Sequence, residues 1–280
     1  MLLSVIIVNF NGASFIKECL DSVVSQKKFF PNFKIIFIDN ASNDDSLDII
    51  KDYHNDIQLI KNSENVGFPA AHNQILDQLD TPYLWLLNND TCFDHNTDII
   101  SPIVDYLNSN NDVVGLSPKL LNTDGSLQSQ GGGLNAWRYK SNKISKVPFL
   151  SGASLFIRTS FFKDIDGFDS NLFFYNDDID FAKQAQRHKK TLIYYPMIQI
   201  THHGGLSTKF REIDSLIAGY YGSIYICKKF YPKGVFILYY YIMRALLELK
   251  KGYHSVFKSE KSDEWVLKLN QLKGRLIDEI

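Results

Sequence analysis

The chain has 280 residues, 45% of them hydrophobic and 22% charged, with a formal net charge of -1. That length buries a sizeable core, in one large domain or a domain with an appendage, and the near-neutral balance excludes a nucleic-acid binder that depends on a basic face. Cys19, Cys92 and Cys227 stand far apart with no CxxC pair, which fits a reducing compartment and reads as neither a zinc site nor a disulfide framework. The opening run, residues 1–8, has no basic leader and is too short for a cleaved signal, so it reads as the first core strand. No segment reaches about 18 uninterrupted apolar residues, and no transmembrane helix is expected.

Residues 3–8 are β-branched and apolar and stop at Asn9-Phe10-Asn11-Gly12. Ile16, Cys19, Leu20, Val23 and Val24 then recur at helical spacing. Residues 34–38 repeat the strand pattern and end in Asp39-Asn40-Ala41-Ser42, where Ser42 with Asp45 resembles a capping box for a helix through Tyr53. Residues 57–60 form a third strand, followed by Asn65-Val66-Gly67-Phe68-Pro69 and a helix through Leu79. Residues 83–87, Tyr-Leu-Trp-Leu-Leu, are an apolar run that ends abruptly in Asn88-Asn89-Asp90, and a helix is expected near residues 97–108. Strands alternating with helices imply right-handed crossovers and a mostly parallel sheet whose polar loops gather at its carboxyl edge.

From Val113 the texture changes. Residues 113–120 are strand-like, Gly125 marks a turn, and Gly131-Gly132-Gly133 opens a polar stretch to about Val147 that reads as a mobile loop. Residues 149–157 return to strand, with Gly152 where close backbone or ligand approach is expected. Gly167-Phe168-Asp169 follows, and then an aromatic run breaks into Asp177, Asp178 and Asp180. Acids in a first helical turn are favoured by the helix dipole. Carboxylates packed against apolar rings also gain a raised pKa, which equips one of them as a base. Residues 191–195 read as another strand, and His202-His203-Gly204-Gly205 as a Gly-rich turn able to offer a metal ligand.

Asn9, Asp39 and Asn88 to Asp90 all stand at carboxyl ends of strands. Each either turns its own loop or lines one shared nucleotide crevice. The lone carboxylate of Asp90 between neutral amides suits a hard divalent ion that takes its remaining ligands from substrate phosphates. With neither a GxGxxG nor a Walker lysine motif, the phosphates have to be held by metal.

Taken in order, Ser4 to Asn11, Asp39 to Ser42, Asn65 to Phe68 through Asn73, Leu87-Asn88-Asn89-Asp90, Ser151-Gly152-Ala153, Gly167-Phe168-Asp169, Asp177-Asp178-Ile179-Asp180 and His202 to Ser207 resemble the family 2 glycosyltransferases. These are inverting enzymes of the GT-A fold, and the likeness is greatest to their rhamnosyltransferase-like members. The resemblance implies an α/β fold with a Rossmann-like sheet. It implies a catalytic domain over residues 1–210, with a nucleotide-sugar half to about 118 and an acceptor half from about 119, and a helical extension over 211–280. It places Asn9, Asn11, Asp39, Asn65, Gly67, Asn88 and Asn89 on the donor side, Gly152 and Asp177 on the acceptor side, and Asp178 as general base. Asp90, the last residue of the family's DxD motif, and His202 are the implied ligands of Mn2+ or Mg2+, with His203 the adjacent alternative. Asn88 departs from DxD, and Asp177 stands where Glu is usual. The implied substrates are dTDP-rhamnose or a UDP-hexose and a glycan or lipid-linked acceptor of bacterial surface polysaccharide. A sugar nucleotidyltransferase and a non-catalytic scaffold of the same fold are the rival readings.

Residues 211–230 read as a helix. Residues 235–249 are hydrophobic nearly all round, hold Arg244, are too short to span a bilayer, and are followed by Lys250, Lys251, His254, Lys258 and Lys261. Residues 235–261 thus suit either an anionic membrane surface, at the inner face of the cytoplasmic membrane, or a helix pair packed on the catalytic domain or on the twin subunit of a homodimer.

Overall fold

The computed structural model describes residues 1–130, 133–204 and 212–256. Gly131, Gly132, Gly205 to Ser207, Arg211, Lys258 and Lys261, all singled out in the sequence, lie outside the described residues. The chain forms two compact units, Met1–Asn171 with Asp177–Ser207, and Leu172–Asn176 with Thr208–Ile280.

The first unit carries one mixed sheet. Its strands are β1 (Leu3–Asn9), β2 (Phe33–Asp39), β3 (Ile57–Lys61), β4 (Tyr83–Leu87), β5 (Thr91–Cys92), β6 (Val113–Leu121), β7 (Ser145–Lys146), β8 (Ser154–Arg158) and β9 (Thr191–His202). They lie in the order β3-β2-β1-β4-β8-β6-β9-β5, with β7 also on β9. The first four run parallel, as do β6 and β9, while β8, β5 and β7 run against their neighbours. Helices α1 (Ala13–Ser25), α2 (Ser46–Ile50), α3 (Phe68–Asn73), α4 (Ile100–Ser109), α5 (Thr159–Asp164) and α6 (Asp177–Arg187) accompany the sheet.

The apolar runs are continuous because both faces of the sheet are covered. Leu3, Val5 and Ile7 face one way, into a core shared with Ile16, Leu20 and Val23 of α1 and Ile103 and Leu107 of α4. Ile6 faces the other way, into a core with Ala71 of α3, Phe161 of α5 and Phe181 of α6. Trp85 is fully buried, stacks on Phe156 at 4.6 Å and donates its indole N–H to Ser154 Oγ at 2.9 Å.

Besides adding the short strands β5 and β7 and helix α5, the structure departs from sequence expectation in the following places. The helices after β2 and β3 are short, and 3-10 turns at Lys51–Tyr53 and Leu76–Gln78 complete them. Ser42 forms no capping box, because its hydroxyl accepts from Asn9 Nδ2 and the Asn11 N–H while α2 begins only at Ser46. Strand β8 starts at Ser154 and not at 149; the Ala153 carbonyl still accepts from the Asn88 N–H one position beyond the β4 ladder, and the Gly152 N–H leaves it for Asp178 Oδ2. The stretch before Val147 is anchored, with Tyr139 buried, its hydroxyl donating to Phe149 O at 2.6 Å and its carbonyl accepting from the Tyr194 hydroxyl. Strand β9 runs on past Tyr195 to His202. Its register against β6 jumps from Tyr195↔Pro118 to Gln199↔Lys119, so the segment containing Pro196, which has no N–H to donate, bulges out and the ladder resumes.

The second unit holds α7 (Glu212–Phe230) and α8 (Lys233–Val256). Ile224 and Cys227 of α7 meet Phe236, Tyr240 and Leu247 of α8 in a small core. No described helix is long and apolar enough to cross a membrane.

Candidate functional site

The carboxyl ends of β1, β2 and β4 are tied together by amides. Asn9 is fully buried and donates to Asp39 Oδ1 at 3.1 Å and Ser42 Oγ at 3.0 Å, and its own carbonyl accepts from Asn89 Nδ2 at 2.6 Å. Asp39 Oδ2 accepts from the Ser42 N–H, and Asn11 Oδ1, in a left-handed residue, accepts from the Asn43 N–H. Gly12 lies beneath the Asn9–Asn89 bond, and a Cβ there would collide with both amides. The next loop repeats the device. Asn40 accepts from Asn62 Nδ2 and the Val66 N–H and donates to Asn65 Oδ1 at 2.9 Å, and that oxygen also receives the N–H of Gly67. Gly67 has φ +85, a left-handed conformation suited to glycine, and opens α3.

Asp90 and His202 meet at the junction of β4, β5 and β9. His202 Nε2 lies 3.1 Å from Asp90 Oδ1, yet that buried oxygen accepts no hydrogen bond. Gln128 explains why. Its Nε2 donates to the His202 carbonyl at 3.1 Å and to Asn122 Oδ1 at 3.2 Å, so its Oε1, 2.7 Å from His202 Nδ1, has to accept. In the tautomer that this acceptor favours the proton sits on Nδ1, and Nε2 turns a lone pair toward a carboxylate oxygen. Two acceptors this close and largely enclosed, with side chains 15% and 11% exposed, would be satisfied by a cation between them, and one carboxylate with one imidazole suits a divalent ion of Mn2+ type. Asn88 Nδ2 lies 3.4 Å from His202 Nε2 on the same side. His203 points elsewhere. Its Nε2 faces Glu18 and Cys92, while that of His202 faces Asp90.

The acids of α6 are joined to this turn through Gly152 and Ala153. The Asn88 N–H donates to Ala153 O at 2.9 Å, and the Gly152 N–H points at Asp178 Oδ2 at 3.5 Å. A Cβ at Gly152 would sit in ordinary contact, 3.7 Å from Asp177 Oδ2, so bulk alone does not require glycine there. Burial pushes the Asp177 carboxyl well above its usual range, and the neighbouring Asp178 charge adds to the shift. Burial also raises Asp178, to about 6, against the N–H groups of Gly152 and Ile179, which favour the anion. Asp178 is the more exposed of the two. Just before α6, Tyr175 and Asn176 both take φ +67, a conformation that costs a non-glycine residue about 1–2 kcal/mol.

The sequence profile of glycosyl transferase family 2 matches residues 4–166. The chain belongs to that family. The N-acetylglucosaminyl-diphospho-decaprenol L-rhamnosyltransferase of Mycobacterium tuberculosis is 24% identical over 227 residues, covering 69% of this chain and 73% of that protein. The teichoic acid poly(glycerol phosphate) polymerase of Staphylococcus epidermidis is 33% identical over 92 residues, 31% of this chain and 12% of that protein. Among solved structures, S. aureus TarS 1-349 superposes with a TM-score of 0.60 at 18% identity, covering 81% of this chain and 64% of that one. The mannosyltransferase PcManGT of Pyrobaculum calidifontis, in complex with GDP-Man and Mn2+, gives 0.60 at 16% identity, covering 96% and 84%. The fold is that of the GT-A glycosyltransferases.

In this glycosyltransferase the structure brings Asn9, Asn11, Asp39 and Asn89 into one network, Asn65 and Gly67 into another, Asp90 with His202, and Gly152 with Asp177 and Asp178. Asn9 is committed on every polar atom and stands as a brace within that network. Sequence reading missed Gln128 and Asn40. Asn40 could have been found from its place between Asp39 and Ser42. Gln128 gives no local signal, since its partner lies 74 residues away. Gly167-Phe168-Asp169 acts through its backbone, because Asn73 pairs with both the N–H and the carbonyl of Phe168 and a Cβ at Gly167 would strike it.

Proposed function

We propose that this family 2 enzyme inverts the anomeric carbon as it passes a sugar from dTDP-rhamnose or a UDP-hexose to a glycan or lipid-linked acceptor of bacterial surface polysaccharide. The observation that carries the reading is the Asp90–His202 pair, two facing acceptors fixed by Gln128 at the sheet's carboxyl edge. These residues would hold Mn2+ or Mg2+, which when bound offsets charge on the leaving nucleoside diphosphate. Asp39, Asn65 and the Gly67 backbone form the donor side, braced by Asn9 and Asn40. Asp178 takes the proton from the attacking acceptor hydroxyl, beside Asp177, whose carboxyl burial and the Asp178 charge also hold raised. Trp137, 66% exposed, offers a face on which a sugar ring can stack. Residues 1–210 serve as the catalytic domain.

The name of the mycobacterial relative, which specifies a diphospho-decaprenol substrate, favours a lipid-linked acceptor. So does α8, where Leu238, Tyr241, Ile242, Leu246 and Leu249 are exposed along an apolar stripe that leads into Lys250 and Lys251. In this reading the stripe lies on the anionic inner face of the cytoplasmic membrane, with a twin subunit as the competing occupant. The test is release of nucleoside diphosphate from a donor panel with Mn2+, with Mg2+ and with chelator. Turnover of one donor, lost in Asp90→Ala, is expected. Inertness toward every nucleotide sugar under all three conditions sinks the proposal in favour of a scaffold.

A further inference from the structure

We propose that Glu18, Cys92 and His203 form a second cation site, one for a borderline-soft divalent metal such as Zn2+, separate from the Asp90–His202 pair. The inference stands apart from the transfer reaction and does not depend on it. His203 Nε2 lies 3.3 Å from Glu18 Oε2 and 3.9 Å from Cys92 Sγ, and one ligand atom from each residue falls within 4.8 Å of the others. Ligands at the usual zinc distances stand roughly 3.3–3.6 Å apart in a tetrahedron, so the histidine–carboxylate edge is already in place and the thiol, 3.9 Å from His203 Nε2, has to close in.

Two of the three ligands ride on a rigid ladder. Thr91 and Cys92 pair with His202 and Thr201 across β5 and β9, and the His203 N–H donates to the Asp90 carbonyl at 2.9 Å. The third, Glu18 on α1, has a side chain 57% exposed, with rotamer freedom to close and room for water as the fourth ligand. Phe15, one turn earlier on α1, holds the His203 ring at 5.0 Å. Coordination displaces the Cys92 thiol proton to solvent. The metal then staples α1 to the β5–β9 edge. Sulfur in the ligand set selects a softer ion than Asp90 and His202 do. Ligands drawn from three separate elements also explain why cysteine spacing gives no sign of the site.

The test uses the full chain, stripped with chelator and titrated with Co2+, read by near-ultraviolet absorption. A sulfur-to-cobalt charge-transfer band is expected, displaced by Zn2+, absent in Cys92→Ser and retained in Asp90→Asn, because the Asp90–His202 pair contains no sulfur. Glu18→Gln, a substitution at an exposed helix position, should need at least roughly tenfold more Co2+. Lack of the band in the unaltered protein overturns the proposal. So does a band of full strength in Cys92→Ser, which would assign it to Cys19 or Cys227. If Cys92→Ser does not fold, Glu18→Gln decides, and an unchanged Co2+ requirement rejects the site.

Discussion

Replacing Gln128 with Leu removes the acceptor that fixes the proton of His202 on Nδ1, 2.7 Å away. The ring is then free to carry its proton on Nε2, where it faces Asp90 Oδ1 and excludes a cation. Outer partners of metal-binding histidines are worth roughly 10- to 100-fold in metal affinity, or about 1.4–2.7 kcal/mol. The fold loses less. Gln128 is half-exposed, so water replaces its bonds to the His202 carbonyl and Asn122, at a cost of about 1 kcal/mol. Mn2+ affinity in the presence of a nucleoside diphosphate, followed by calorimetry or by the spin resonance of free Mn2+, should therefore drop by one to two orders of magnitude while the unfolding midpoint moves only slightly. Gln128→Glu keeps an acceptor at Nδ1 and is expected to retain affinity within a few-fold. Unchanged Mn2+ affinity in Gln128→Leu, or equal losses in the Leu and Glu variants, would refute the tautomer argument.

The remaining expectations concern the base, the amide brace and the apolar stripe. Asp178→Asn should retain donor affinity and lower transfer by about a hundred- to ten-thousand-fold, measured by single-turnover kinetics. With the Asp178 carboxyl raised to about 6, transfer by the unaltered enzyme should fall as pH drops through that value, because the protonated form cannot accept the hydroxyl proton; a rate flat from pH 8 to 5 excludes Asp178 as the base. Gly12→Ala forces the Asn9–Asn89 bond apart and should cost about 1–3 kcal/mol in urea unfolding along with weaker donor binding. Leu238→Glu with Ile242→Glu should abolish sedimentation with anionic liposomes and leave donor hydrolysis intact, since both side chains are exposed; unaltered sedimentation assigns the stripe to another occupant.

Much of the fold was legible because buried strands leave β-branched runs, and β1 and β2 end in Asn9 and Asp39 while Asn88 directly follows β4. Sequence spacing also separates Asp90 from its neighbours, since a single carboxylate among amides stands out. What stayed hidden depends on long-range geometry. Pro196 looks like a strand end, but the bulge carries β9 past it to His202. Ser42 matches a capping box, yet its hydroxyl belongs to the loop after β1. His202 and His203 are indistinguishable as a dipeptide, and only the alternation of a strand end sends one toward Asp90 and the other toward Glu18.

Residues Leu172–Asn176 belong to the compact unit of the C-terminal helices, although Asp177, the very next residue, begins α6 in the other unit. Asn176 donates to the carbonyl of Gly219, 43 positions later, and α7 leaves space for its amide by having Gly222 where a Cβ would collide with it. During synthesis the sheet can therefore close while this five-residue segment still lacks its partner. The left-handed pair at Tyr175 and Asn176 can be locked only after α7 has emerged from the ribosome. Order of manufacture thus makes this five-residue segment among the last parts of the chain to settle. A chain ended before Gly219 would lack the carbonyl that anchors Asn176.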